Sequence, residues 1–435
     1  MEKIFHLSLD LSLSHVFGFV AVALFFYMSL WSLAAIAKKR ADLADIAWGP
    51  GFMLVAWTSL ILGQATVDGL IINILVTIWA IRLAFHLYLR NRKRQEDFRY
   101  ETLKQKWGKN LNLNLFRNVF LLQGCILYVI ALPILWIHTH PQELPKHILW
   151  IGLLGWSIGF FLEAIADLQL ALFKNDHSKK GKLLTTGLWG YVRHPNYLGE
   201  LVQWWAIWFI SASLPFGWAL IISPLLLTFL IVKISGIKPL EEQMEKRAEF
   251  KAYVENTPSL IPPSLINGIL YGSAWFLLII YGSQSSLFFS IMIAAGCYGG
   301  QLWLLTKFDS RTLRSYIVLS IVALGLGFLQ EMFFIYLKIV VYPKESIFPP
   351  LWLLALYPLF SLTLNSSLVF LNKSPTFTFL LGGFGALFSY LSGERLGVIQ
   401  LIPPLAQPII FLFWGLFLTI LVIFNRKLRA WFSQR

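Results

Sequence analysis

The chain has 435 residues, of which 57% are hydrophobic and 13% charged, and its mean hydropathy is +0.66. A soluble domain carries roughly 45–50% apolar and about 25% charged residues, so this composition excludes an ordinary water-soluble enzyme and places the chain in the membrane class. The net charge of +14 does not mark a nucleic-acid binder, because most basic residues sit in short loops between apolar runs, where they set topology.

Thirteen apolar runs of span length follow one another at 14–37, 46–62, 69–89, 118–138, 148–170, 197–213, 217–234, 265–282, 287–305, 315–337, 348–370, 375–392 and 406–424. They predict an all-α, polytopic transmembrane helical bundle. The alternate loops 38–45, 90–117, 173–195, 235–263, 306–314, 371–374 and 425–435 hold 29 of the 36 Lys and Arg residues. The opposite side holds Lys3, Lys146, Lys338, Lys344 and Arg395, so the N-terminus is expected outside and the C-terminus in the cytoplasm. Glu2 and Asp10 argue against a signal peptide. Long charged loops end near residue 264, where paired prolines in Thr257-Pro258-Ser259-Leu260-Ile261-Pro262-Pro263 mark a boundary. Two membrane domains are therefore expected, 1–263 and 264–435.

Cys125 and Cys297 lie inside apolar runs, and the His residues are scattered, so no metal site is expected. His138 and His140 are expected at the far surface. No glycine-rich fingerprint joins a strand to a helix, which excludes a Rossmann domain. In the second domain, Glu331 and Asn365 sit within spans and are expected to face the bundle interior. Glu331 is read either as part of a transport path or as a structural hydrogen-bonding group.

Polar chemistry gathers at one end of the first seven spans. Glu163 and Asp167 are one helical turn apart and share a face. Lys174 follows, and then the run Gly187-Leu188-Trp189-Gly190-Tyr191-Val192-Arg193-His194-Pro195-Asn196-Tyr197-Leu198-Gly199-Glu200. Such a set suits a charged, nucleotide-sized cofactor. Arg193, Lys174 and His194 are candidates for phosphate oxygens, and Asp167, Asn196 and Glu200 for ribose or amide groups. Glu200 at bilayer depth is a functional candidate because an unpaired charge is costly there. Asp45 stands at a span entrance, as a helix cap or a functional acid. Arg82 either snorkels or pairs with Asp42, Asp45 or Glu163. The segment Glu96-Asp97-Phe98-Arg99-Tyr100 is a candidate lid.

The Glu163, Asp167 and Lys174 spacing and the run ending in Glu200 resemble the catalytic region of the steroid 5α-reductase family. Residues 40–263 are similar to its bacterial branch. The resemblance implies NADPH bound at the cytosolic side of a helical bundle by Asp167, Lys174, Asn196, Tyr197 and Glu200, with Glu163, Arg193 and His194 beside them. It implies reduction of an enone or alkene in a lipid, isoprenoid or sterol-like substrate taken from the membrane. The family's steroid enzymes use a Glu and a Tyr to polarise the substrate carbonyl, and the nearest counterparts are Asp45 and Trp79. Because Trp79 is no acid, the proton donor is sought among His86, Tyr88 and Tyr100, and Asp45, Arg82 and His86 are the candidates at the substrate end.

The Arg-His-Pro-x-Tyr-x-Gly element, with Glu241-Glu242, Tyr253 and Pro258 after it, also resembles membrane methyltransferases that use S-adenosylmethionine on isoprenylcysteine or lipid amines. A non-enzymatic lipid carrier is the third expectation. Residues 265–435 resemble a small family of the bacterial inner membrane, which is the location expected for the whole chain, with the cofactor site facing the cytoplasm.

Overall fold

Inside a bilayer a backbone N–H or C=O finds no water, so an apolar run satisfies itself by closing as a helix. The computed structural model describes residues 11–92, 96, 98–140, 142–245, 247–282, 287–308, 313–342 and 347–433, and it is 82% helix. Among the described residues, eleven helices are long and apolar enough to cross a membrane. Two of the expected spans form shorter helices, Pro195–Ser211 with 17 residues and Leu351–Thr363. The chain divides into two compact units, Met1–Leu260 and Ile261–Arg435.

The first unit opens with α1 (Leu13–Lys38), α2 (Leu43–Leu62) and α3 (Val67–Asn91). A short polar α4 (Phe98–Trp107) leads into α5 (Leu111–Ile130). The run expected at 118–138 thus starts earlier and is divided after Ile130, where Pro133 lies in the first turn of a short α6 (Leu132–Thr139), a position proline favours. The long α7 (Lys146–Asn175) pairs with α8 (Pro195–Ser211) in the most extensive helix contact of the molecule. Next, α9 (Ile222–Phe229) runs through a π-helical turn at Leu230–Ile234 and bends at Ser235–Gly236 into α10 (Ile237–Met244). The unit closes with α11 (Ala248–Asn256). Its core joins Phe52, Trp79 and Trp204 in a buried aromatic cluster, with ring centroids 4.4–5.6 Å apart.

His138 departs from its expected place at the surface. It is fully buried, because the turn between α2 and α3 folds over the end of α6. Its carbonyl accepts from Gln64 N at 2.8 Å, and its Nδ1 lies 2.7 Å from Ser59 Oγ.

The second unit contains α12 (Pro263–Leu277), α13 (Leu287–Phe308), α14 (Leu313–Tyr336), α15 (Leu356–Thr363), α16 (Pro375–Arg395) and α17 (Ala406–Ser433). A minimal antiparallel ladder pairs Val340 with Leu401 and Val341 with Gln400. Glu331 of α14 is fully buried. Its carboxylate accepts from Tyr342 at 2.9 Å, Tyr357 at 2.6 Å and Tyr390, so each oxygen is satisfied inside the bundle. Asn365 and Asn425 exchange amide hydrogen bonds of 3.1 and 2.9 Å.

Candidate functional site

The site in the first unit begins with two glycines. Gly159 on α7 and Gly199 on α8 meet backbone to backbone, and a Cβ on Gly199 would lie 2.5 Å from both Gly159 O and Glu163 N. Small residues permit this approach between membrane helices. It sets Glu163 and Asp167 directly against Asn196, Glu200 and Gln203.

On α3, Trp79, Arg82, His86 and Arg90 recur at three- and four-residue intervals and so share one face. That face meets the two acids. Arg82 Nη1 donates to Asp167 Oδ2 at 2.8 Å, and Nη2 donates to Glu163 Oε1. Glu163 Oε2 accepts from Trp79 Nε1 at 3.0 Å and from Gln203 Nε2 at 2.7 Å. Asp167 Oδ1 accepts from Asn196 Nδ2 at 3.1 Å. Of the three partners expected for Arg82, Glu163 is found, and Asp167 joins it. Asp42 is instead taken by Arg40, whose Nε donates to Oδ1 at 2.9 Å.

These groups form one wall of a cavity of about 430 Å³, within the roughly 300–1,000 Å³ of small-molecule sites. Asp45, His86, Glu163, Asp167, Asn196, Tyr197 and Glu200 all line it. Among the described residues, the buried Oδ1 of Asn196 has no hydrogen-bonding partner, and Glu200 lies within electrostatic reach of Arg82.

Elsewhere on the lining, Tyr100 of α4 donates its hydroxyl to Asp45 Oδ1 at 2.7 Å, and Gln123 Nε2 approaches the same hydroxyl at 3.4 Å. The segment expected as a lid is fastened down by its ends. Glu96 accepts from Ala41 N and from Lys104, whose ammonium also reaches Lys39 O at 2.8 Å. Asp97 and the side chain of Arg99 lie outside the described residues. Apolar side chains, among them Leu122, Ile126, Leu227 and Ile231, complete the lining.

Three expected phosphate ligands lie elsewhere. Lys174 is exposed at the end of α7 and is not part of the cavity wall. Arg193 and His194 are buried and committed to a latch. Arg193 Nε donates to Glu241 Oε1 at 2.8 Å, its Nη1 donates to Thr257 O, and His194 Nε2 lies 2.8 Å from Glu241 Oε1. The backbone adds Arg193 N to Pro258 O at 2.8 Å and His194 N to Ser259 O at 3.1 Å. Tyr253 donates to Trp189 O at 2.5 Å, and burial pushes its hydroxyl up to about 12, so it stays a donor. These contacts clamp the segment from α10 to Leu260 onto the entrance of α8. Arginine fills its geometry with protein acceptors here, which leaves it no open fork for phosphate.

Sequence reasoning missed Gln123 and Gln203, because isolated glutamines in apolar runs carry no motif. Their signal is the cost of a polar side chain at bilayer depth.

A bundle of apolar helices enclosing a cavity with charged and apolar walls defines an integral membrane protein with an internal polar site. The chain belongs to the family described as a protein of unknown function, DUF1295, whose model matches residues 30–257; that family includes steroid 5-alpha reductase-like proteins. A second family model, also described as a protein of unknown function, DUF2878, matches residues 264–420. No solved structure matches the chain.

Proposed function

We propose that the first unit is a membrane-embedded, NADPH-dependent reductase of an enone or alkene in a lipid-phase substrate. The observation that carries this reading is the pairing of two kinds of chemistry across one cavity. The acceptor groups of Asp167, Asn196 and Glu200 line it, and so does a tyrosine hydroxyl bound to a carboxylate. Asn196 Oδ1 offers an unfilled acceptor and Glu200 a carboxylate on the lining, which fit the amide and hydroxyl donors of a nicotinamide nucleoside. NADPH, when bound, supplies a hydride.

The protein's part is to place and protonate. The single proton of the Tyr100 hydroxyl is given to Asp45 here; a substrate carbonyl would have to draw it away from that carboxylate, and a general acid placed in this way contributes about 10²–10⁴-fold to a rate. Arg82, locked by Glu163 and Asp167, keeps the acidic wall from collapsing through mutual repulsion. Leu122, Ile126, Leu227 and Ile231 exclude water from the reacting groups and accept the hydrocarbon part of the substrate.

The same reading places thirteen spans in the bacterial inner membrane, with the N-terminus outside and the C-terminus and cofactor entrance at the cytoplasm. Its support is the bias of Lys and Arg toward alternate loops.

A second reading is favoured by the acid-rich wall and by the Arg193–His194–Glu241 latch: transfer of a methyl group from S-adenosylmethionine to a lipid amine or isoprenylcysteine. Calorimetric titration of the purified full chain separates the two. Binding of NADPH that Asn196→Ala and Glu200→Gln abolish supports the reductase. Binding of S-adenosylmethionine alone turns the assignment to methyl transfer, and binding of neither turns it to a lipid carrier.

A further inference from the structure

With Arg193 and His194 committed to the latch, α3 supplies the basic groups at the cavity. Arg82 is paired with Glu163 and Asp167. Two turns further on, Arg90 lines the cavity, and its side chain is held differently. Its Nε donates to Asn91 Oδ1 at 3.0 Å. Asn91 is itself fixed: it is buried, and its carbonyl accepts at 3.2 Å from Arg40 Nη2, while Arg40 Nε is bound to Asp42 at 2.9 Å. Among the described residues, no acceptor is bonded to Nη1 or Nη2 of Arg90. The guanidinium is thus anchored at one nitrogen and open at the other two.

His86 stands one helical turn before Arg90, on the same face, and lines the same space. Among the described residues its ring nitrogens have no hydrogen-bond partner. Arg90, Asp167 and Lys174, the last from the end of α7, all lie within electrostatic reach of that ring. Asp167 is already bound by Arg82 and Asn196. The corner therefore gathers an arginine, a lysine and an imidazole, and its open donors are those of α3. Two adjacent guanidinium N–H groups match two oxygens of one phosphate, and the imidazole one turn away can reach a third. We propose that His86 and Arg90, with Lys174 beside them, hold a phosphate group of the nucleotide cofactor. The proposal rests on the preceding reading in taking that phosphate from NADPH. S-adenosylmethionine carries no phosphate, so the corner has no use in the rival reading.

The test is calorimetry on the full chain in phosphatidylcholine nanodiscs, titrated separately with NADPH, with reduced nicotinamide riboside, which has no phosphate, with inorganic diphosphate and with dodecyl phosphate. Arg90→Gln should weaken NADPH and diphosphate by about tenfold or more and leave the riboside within about twofold. Arg92→Gln is the control, because it removes the same charge from an exposed position off the cavity wall. Gel filtration and thermal unfolding verify that each variant is folded. NADPH and diphosphate affinities that Arg90→Gln leaves unchanged overturn the proposal, and so does a loss shared equally by the riboside or by Arg92→Gln. NADPH binding indifferent to Arg90 leaves the reductase reading standing without this site. Diphosphate binding that depends on Arg90 in a chain that ignores NADPH keeps the phosphate site and removes the reductase reading; dodecyl phosphate behaving likewise gives the phosphate to a lipid headgroup and overturns its assignment to a nucleotide.

Discussion

Replacing Gly199 by alanine tests whether backbone contact between α7 and α8 builds the site. The added Cβ would sit 2.5 Å from Glu163 N and 2.5 Å from Gly159 O. Favourable contact lies at about 3.5 Å or more, so the helices must part by roughly 1 Å. That movement stretches the 3.1 Å bond from Asn196 to Asp167 and the 2.7 Å bond from Gln203 to Glu163 to about 4 Å, where a hydrogen bond no longer exists. Overpacking costs about 1–3 kcal/mol, and each lost bond to a charged group about 1.5–3 kcal/mol, so a destabilisation of about 4–9 kcal/mol is the upper bracket if nothing relaxes. Thermal unfolding in detergent reads the loss, and an NADPH titration of the protein still folded at low temperature should show affinity down about tenfold or more. Gly155→Ala is the control on the same helix pair, because its Cβ would make an ordinary 3.5 Å contact with Ala206. If the two variants unfold together and bind NADPH alike, the close-approach argument is wrong.

Tyr100→Phe should lower enone turnover by about 10²–10⁴-fold while NADPH affinity holds within about twofold; equal losses in both would move Tyr100 from chemistry to architecture. Trp79→Phe removes one donor to the buried Glu163 and should cost about 1–3 kcal/mol in thermal unfolding, with no change expected if Gln203 and Arg82 suffice. Glu241→Ala opens the latch on Arg193 and His194, so limited proteolysis should cut between Ile237 and Thr257 faster than in the native chain. Glu331→Leu leaves the hydroxyls of Tyr342, Tyr357 and Tyr390 without their acceptor, at about 1–3 kcal/mol for each; NADPH binding to the first unit should persist while the unfolding temperature falls.

Helices were legible wherever an apolar run was uninterrupted. The run read at 14–37 is the helix Leu13–Lys38, and that read at 375–392 is Pro375–Arg395. Hydropathy says less about where a helix bends or restarts. Nothing apolar distinguishes Ala131 from its neighbours, yet the chain ends one helix and begins another there. Nor does composition reveal burial within the membrane, since lipid tails and protein cores are alike to a leucine. His138, on the far side from the polar cluster, reads as a surface residue, and only the fold of the 63–66 turn puts it inside.

The site divides along a different line. Residues on one helix face were readable from spacing, which is why Glu163 and Asp167, or Arg82 and His86, could be grouped before any coordinates. Partners across helices were not, because register between helices depends on contacts such as Gly159 against Gly199 that no local pattern encodes. Arg193 and His194 show the consequence. As a basic pair beside Asn196 they read as anion ligands, but their acceptors arrive from Glu241 and from the backbone of residues 254–259, 47–65 positions later in the chain. A buried guanidinium must be matched wherever it lies, so a basic motif near a cavity identifies a charge to be satisfied without saying by whom. In this chain protein carboxylates pair with both Arg82 and Arg193. At the cavity wall the buried atoms left without a hydrogen-bond partner include the amide oxygens of Asn196 and Gln123, and the search for ligands is best directed there.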